Sequence, residues 1–191
     1  MWIKPSNVSD AGNLFSSISA SGPQYDGIGL SNRGDASDPN RLRFYLIDDF
    51  SGGFFNPTDF LRRDFIHTMT NNNWYHIVAV YTGNNNISGL SVYQNASSLA
   101  IDNAEDKNTG VSGGIEAPDI LQFGNGNHIG QAFQGKYTDI TIWDIALSPA
   151  QITTLYNSGK PGNPRTQINA TNLRMWLRMD EDLIFHPTCR S

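Results

Sequence analysis

The chain has very little of several features on which folds and functions often depend. It contains a single cysteine, Cys189, so no disulfide bond can form within it. Only 4 of its 191 residues are lysine, its net charge is −5, and no stretch concentrates lysine and arginine. A nucleic-acid partner is therefore not expected. No apolar run approaches the roughly 20 residues that a membrane-spanning helix needs, so we expect no membrane insertion.

Residues that form turns are abundant instead. The chain has 20 Asn, 18 Gly and 9 Pro, and 38% of its residues are hydrophobic, which is typical of a globular protein. Between the turn segments lie short apolar or alternating runs, the pattern of an antiparallel sandwich. The predicted strands are 2–4, 13–19, 25–30, 41–47, 61–67, 74–82, 89–94, 98–102, 120–123, 136–143 and 173–178. We therefore predict an all-β fold with two antiparallel sheets.

One short helix is predicted near 148–158, in "LSPAQITTLYNSG". Ser148 and Gln151 have the spacing of a capping box, and Gly159 provides a left-handed stop. A helix this short needs support, so we expect its apolar side to rest on the rim of the sandwich beside strand 136–143. That side carries Ile152, Leu155 and Tyr156.

The chain after the helix is predicted to form a linker and one more strand. "KPGNPRTQINATN" (160–172) is rich in Pro, Gly and Asn, and "LRMWLR" follows it. We predict a main domain over 1–160 and a trailing segment over 161–191. The trailing strand either closes the same sandwich or begins a second, truncated unit.

Four segments in a fixed order resemble a known family. They are "WIKPS", "NNNWYHIVAVYTGN", "GLSVYQNASSLA" and "FGNGNHIGQAFQGKYTDITIWDIALSPAQITTLYNSG", which together span roughly residues 2–160. This order is similar to that of the laminin-G-like, concanavalin A-like jelly-roll superfamily. The resemblance implies a two-sheet jelly roll of lectins and glucanases. Two features depart from the family pattern: its opening strands are missing, and "YQNASSL" lacks the glycine usual after Asn95.

The last segment carries a further resemblance. "NLRMWLRMDED" is similar to a stretch that often adjoins such domains in bacteriophage and bacterial surface proteins. Together with the Asn-rich turns and the absence of disulfides, it favours a virion or extracellular surface protein.

Candidate binding residues come from the strand alternation. If Ile140 and Ile142 face the core, then Asp139 and Trp143 share the opposite face. Trp and Tyr offer flat apolar surfaces to sugar rings, with polar neighbours that fix their orientation. We therefore predict a carbohydrate-binding cluster of Tyr93, Asp139 and Trp143. The alternative for Trp74 and Trp143 is a place in the inter-sheet core, and the sequence favours that alternative.

Enzymatic alternatives lack their residues. Glucanases of this superfamily use a pair of carboxylates, with a signature similar to E-x-D-x-x-E. The three Glu residues, Glu105, Glu116 and Glu181, have no such spacing, and the first two are predicted to lie in loops. "GVSGG" (110–114) matches the serine-hydrolase pattern around Ser112, but it reads as a flexible turn. We predict no enzyme, with a glucanase-like hydrolase or lyase as the alternative.

A calcium site is the cofactor that the sequence allows. The resemblance implies one Ca²⁺ at the sandwich rim, for which Asp48 and Asp49, or Asp102 with Asp106, offer oxygen ligands. Solvated acidic turns explain the same residues. The four histidines, His67, His76, His128 and His186, show no zinc spacing.

Two short motifs have ordinary explanations. The Arg-Gly-Asp in "NRGD" (32–35) is an adhesion tripeptide, but a polar hairpin tip that turns at Gly34 explains it as well. Four glycosylation sequons, at Asn7, Asn86, Asn95 and Asn169, match the number expected by chance.

The predicted function is a non-catalytic recognition or structural module. It binds carbohydrate or neighbouring subunits as a capsid decoration or fibre-associated domain. The partners expected are glycans or other virion or surface proteins. We also expect a homo-oligomer or a larger assembly, because an unpaired sheet edge invites another chain.

Overall fold

The computed structural model describes residues 1–17, 27–34, 40–49, 59–111, 121–124 and 132–179, and their structure is almost entirely antiparallel sheet. The strands of this described part are β1 (Trp2–Pro5), β2 (Gly12–Ser16), β3 (Gly27–Asn32), β4 (Arg41–Asp49), β5 (Asp59–Ile66), β6 (Tyr75–Tyr81), β7 (Leu90–Gln94), β8 (Ser97–Ser98), β9 (Ala100–Asn108), β10 (Gln122–Phe123), β11 (Gly135–Thr138), β12 (Ile140–Trp143) and β13 (Leu173–Leu177).

Two sheets form the body of the molecule. The five-stranded sheet has the order β11-β1-β6-β7-β8, and the six-stranded sheet has the order β10-β2-β3-β4-β5-β9. β1 lies between β6 and β11, so that Trp2 is opposite both His76 and Thr138. The predicted all-β, two-sheet antiparallel jelly-roll sandwich is confirmed.

The core lies between the sheets because each strand turns alternate side chains inward. In β4, Leu42, Phe44 and Leu46 are buried in the main apolar cluster, whereas Tyr45 and Ile47 belong to a separate cluster with Phe60. The main cluster also contains Ile3, Leu14, Leu30, Leu61, Phe65, Met69, Ile77, Ile87, Leu90, Val92, Val111 and Phe133.

Helix α1 (Pro149–Tyr156) forms as predicted. The Ser148 hydroxyl accepts from the Gln151 N–H, and the Gln151 side chain accepts from the Ser148 N–H, which completes the capping box. The predicted placement on the rim is wrong. Ile152 and Leu155 pack with Val80, whose side chain points away from the inter-sheet core, so α1 covers the outer face of the five-stranded sheet.

The predicted strand 136–143 is two strands. Asp139 has φ 46, a left-handed conformation that interrupts the pleat. β11 pairs with β1, whereas β12 pairs with β13 in a separate two-stranded sheet. Ile140 is buried, as expected, but Ile142 is only partly buried.

The segment predicted as a linker contains helical structure. A short helix α2 (Pro164–Gln167) begins at Asn163, whose side chain accepts from the Arg165 N–H. Gln167 donates through Nε2 to the Thr154 carbonyl of α1 over 3.0 Å. The chain then enters β13 and pairs with β12. The domain limits 1–160 and 161–191 stay a prediction.

Two further predictions need correction. β9 was expected to end at 102, but the polar residues 103–108 continue it, since Arg62 and Arg63 of β5 pair with Glu105 and Asp106. Glu105 therefore lies on a strand and not in a loop. Trp74 is not core: it precedes β6 in an Asn-rich turn and is 42% exposed.

Candidate functional site

The three predicted binding residues do not come together. Tyr93 and Trp143 are partly buried and pack against the apolar cluster beneath α1. The Trp143 indole donates to the Thr141 hydroxyl over 3.1 Å. Asp139 instead accepts from the indole N–H of Trp176 in β13, also over 3.1 Å. The carbohydrate role of the three residues stays a prediction. Asp139 lines one pocket together with Trp176, and Trp143 lines a different one together with Ile140 and Ile142.

The pocket around Asp139 lies beside the two-stranded sheet. It is a recess of about 370 Å³ lined by Thr138, Asp139, Pro161, Gly162, Asn163, Trp176 and Arg178, and we call it the Asp139–Trp176 pocket. The single proton of the Thr138 hydroxyl is shared between the Arg178 carbonyl at 2.7 Å and the Asp139 carboxylate at 3.1 Å. Since the Trp176 indole donates to the other carboxylate oxygen, Asp139 is held between two donors.

An aromatic ring and planar polar groups share this pocket. The Arg178 guanidinium carbon lies 5.6 Å from the centre of the Trp176 ring, a cation–π arrangement. Asn163, whose side-chain oxygen accepts from the Arg165 N–H, also lines the pocket. A flat apolar surface bordered by carboxylate, amide and guanidinium groups suits a sugar ring, which has apolar faces and a polar edge.

Sequence reasoning missed Trp176 and Arg178 as site residues. Their signal was a Trp and an Arg two positions apart on the last predicted strand, which places both on one face. What joined them to Asp139 was the pairing of β12 with β13, and the sequence does not report that pairing.

The outer face of the six-stranded sheet carries an ionic network. Arg43 donates to both oxygens of Asp64, over 2.7 and 2.8 Å, and these side chains are 11% and 3% exposed. Glu105 joins the network through Arg62 at 2.8 Å and Arg43 at 3.8 Å. Nearby, burial raises the pKa of Tyr45 to about 12. Because Arg43 holds both Asp64 oxygens, this carboxylate is not free to act as a nucleophile or acid.

The predicted calcium ligands are dispersed. Asp48 is partly buried near the end of β4, and the side chain of Asp49 lies outside the described part. Asp102 accepts from the Ala104 N–H and from Arg41, and both bonds lower the pKa of its carboxyl. Asp106 pairs with Arg63 instead. In the described ranges, no three His, Cys, Asp or Glu side chains are close enough to hold a metal ion. The calcium site stays a prediction.

The remaining motifs have structural roles where they are described. Three sequon asparagines, Asn7, Asn86 and Asn169, each accept from the N–H two residues on, so these sequons are Asx-turns. Gly34 of the Arg-Gly-Asp motif has φ +30 and lies against the Asp10 backbone, as a turn glycine does. Asp35, Ser112, Glu116, Glu181, His128 and His186 lie outside the described residues.

The two remaining histidines are buried and neutral. His67 accepts at Nδ1 from the Met69 N–H over 3.2 Å, so Nε2 carries the proton and donates to Asn32. Burial lowers the pKa of His67 to about 4 and that of His76 to about 2. His76 packs against the rings of both Trp2 and Tyr156, which also stack on each other. Both are core histidines.

The architecture defines the class of protein: a two-sheet antiparallel sandwich of the lectin and glucanase type. Comparison with known families agrees, because the model of the concanavalin A-like lectin/glucanases superfamily matches residues 1–153. The chain belongs to this superfamily, and the predicted laminin-G-like, concanavalin A-like membership is confirmed.

Other comparisons add little. No curated protein matches the chain. Among solved structures, an S-layer domain-containing protein (residues 221–444) from Clostridium thermocellum ATCC 27405 is 16% identical, with a TM-score of 0.31. That match covers 77% of this chain and 63% of the other chain. A TM-score this low does not establish that the two proteins share a fold. Within the described residues, no helix has the length and apolarity to cross a bilayer.

Proposed function

We propose that the protein is a non-catalytic surface module that recognises carbohydrate through the Asp139–Trp176 pocket. The observation that carries the proposal is the Trp176 ring, held by its hydrogen bond to Asp139 beside Asn163 and Arg178. Because these groups are positioned before a ligand arrives, little conformational entropy is lost on binding. Membership of a superfamily that includes lectins supports the same role.

The location that we propose is the outside of a virion or cell, as a decoration or fibre-associated domain in a larger assembly. The sequence features behind this proposal are the Asn-rich turns, the absence of disulfides and the "NLRMWLRMDED" segment. In this setting neighbouring subunits are alternative partners for the same module. Light scattering across a range of protein concentrations measures self-association, and a monomer throughout would contradict the homo-oligomer.

The glucanase-like alternative requires two carboxylates about 5–5.5 Å apart for a retaining mechanism. Of the acids on the outer face of the six-stranded sheet, Asp64 is held by Arg43, and Glu105 pairs with Arg62. This arrangement favours a structural role for both acids. Turnover of laminarin or agar by the purified protein, lost on Asp139→Asn, would overturn the non-catalytic proposal.

A glycan array followed by calorimetry tests carbohydrate recognition. We expect the protein to bind a glycan and the Trp176→Ala variant to bind it about tenfold or more weakly, because the variant loses the aromatic surface. Trp74→Ala is the control, since it removes a tryptophan that is exposed and lies in a turn remote from the pocket in sequence. Equal affinity of the Trp176→Ala variant and the unmodified protein would refute the assignment of the pocket.

A further inference from the structure

A second recess lies between residues 95–97, at the β7–β8 turn and the start of β8, and residues 153–158, at and just beyond the end of α1. Its volume is about 520 Å³, and it shares no lining residue with the Asp139–Trp176 pocket. We call it the Asn95–Tyr156 groove. Every side chain that lines it is uncharged, and most carry a hydroxyl or an amide.

Several polar groups in the groove have no hydrogen-bond partner in the part of the chain that the structure describes. Among the described residues, no hydrogen bond involves the hydroxyls of Ser97, Tyr156 or Ser158. The Thr153 and Thr154 hydroxyls donate to carbonyls of their own helix, which leaves their lone pairs to accept. The groove therefore presents both donors and acceptors to a ligand.

The aromatic ring of the groove has a fixed orientation. Tyr156 stacks on Trp2, with ring centroids 5.9 Å apart and an interplanar angle of 23°. Trp2 is itself 5.1 Å from His76, which is buried. A ring supported in this way offers a pre-oriented surface for the apolar face of a sugar.

Backbone strain is concentrated at the same place. Asn95, Ala96, Asn157 and Ser158 line the groove with φ between 47 and 65, where glycine is the low-cost residue. A hairpin turn explains the conformation of Asn95 and Ala96. Ala96 and Ser158, however, are not glycine, so this conformation lowers the stability of the fold. Backbone strain of this kind tends to occur at functional sites.

We propose that the Asn95–Tyr156 groove is a second saccharide subsite and that it takes an uncharged sugar. The uncharged lining gives an acidic sugar no counter-ion, and the hydroxyl and amide groups match the edge of a neutral one. The inference rests on the proposed function, in that both sites belong to one carbohydrate-recognition module.

Nuclear magnetic resonance titration of the full chain tests the proposal, with cellohexaose as the neutral probe and a galacturonic acid hexamer as the charged one. We expect cellohexaose to shift the amide signals of Asn95 and Thr153–Ser158, and the charged hexamer to leave them unchanged. The double variant Ser97→Ala/Tyr156→Phe removes two hydroxyls with little change in shape. It should weaken this binding about tenfold, since each neutral hydrogen bond contributes about 0.5–1.5 kcal/mol. Ser9→Ala, another exposed hydroxyl, is the control.

The variants separate the two sites. If the cellohexaose-induced shifts of the groove amides are lost in Trp176→Ala but persist in Ser97→Ala/Tyr156→Phe, the groove is not a binding site and the proposed function is unaffected. Shifts that vanish only in the double variant would support the groove and contradict the Asp139–Trp176 pocket. No shift at either site with cellohexaose would overturn the groove, while the glycan array decides the proposed function independently.

Discussion

Ala96 occupies a backbone conformation that glycine would adopt at lower cost. Its φ of 65 places it in the left-handed region, in the turn between β7 and β8. The sequence already showed that the glycine usual after Asn95 is absent. The structure adds the consequence, because an L-residue in this region pays roughly 1–2 kcal/mol.

We expect Ala96→Gly to raise the free energy of unfolding by about 0.5–1 kcal/mol, since relief of strain outweighs the added entropy of the unfolded chain. Urea denaturation measures the change. Ala104→Gly is the control: Ala104 lies in β9 without a positive φ, so glycine there should bring no gain. A loss of stability in Ala96→Gly would contradict the strain.

The backbone conformation of Asp139 also limited how much of the candidate site could be predicted from the sequence. The sequence grouped Asp139 with Tyr93 and Trp143, whereas in the structure its aromatic neighbour is Trp176. The alternation rule assumes a continuous pleat, and Asp139 at φ 46 breaks it. Asp can adopt the left-handed conformation, and no sequence pattern marks the positions where it does. The strand therefore appeared unbroken.

At the level of elements, α1 shows what local sequence determines. Its capping residues interact within one turn, so the helix was predicted at 148–158 and is found at Pro149–Tyr156. Its docking face depends on Val78, Val80 and Tyr93, which belong to strands distant in sequence. The first part of β9 was also predicted, at 98–102, whereas its second half, 103–108, was not, because ion pairs with residues distant in sequence stabilise it.

Docking of α1 depends on its buried side chains. We expect Ile152→Ala to lower the free energy of unfolding by about 2–4 kcal/mol, because Ile152 is fully buried against the five-stranded sheet. Thr153→Ala on the exposed side of the same helix should change it by less than about 0.5 kcal/mol. Chemical denaturation compares the two, and equal effects would show that the helix does not rest on the sheet.

At the scale of the whole molecule, two buried histidines link stability to pH. Burial lowers the pKa of His67 to about 4 and that of His76 to about 2, below the ordinary value of 6.5. The unfolded chain therefore binds more protons than the folded one below pH 6.5. Their contribution to stability is complete above that pH and is lost as the pH falls.

We expect the free energy of unfolding to fall between pH 7 and pH 5, by about 2 kcal/mol for each histidine. His76→Phe, which keeps a ring packed against Trp2 and Tyr156, should remove the part that His76 contributes, about 2 kcal/mol. Urea titrations across the range measure it. Asp102, whose carboxyl pKa is lowered from 3.8, titrates below this window and does not obscure it. Stability that is constant from pH 7 to pH 5 would contradict the neutral, buried state of both rings.

The position of β1 bears on how the chain matures during synthesis. Trp2 leaves the ribosome long before Thr138, one of its two sheet partners, because more than a hundred residues separate them in the chain. The five-stranded sheet cannot close until then, and such distant pairing slows folding. The nascent protein must therefore keep the apolar strand β1 in solution until β11 has been synthesised. The rate of translation and contact with chaperones then affect how the sheet forms.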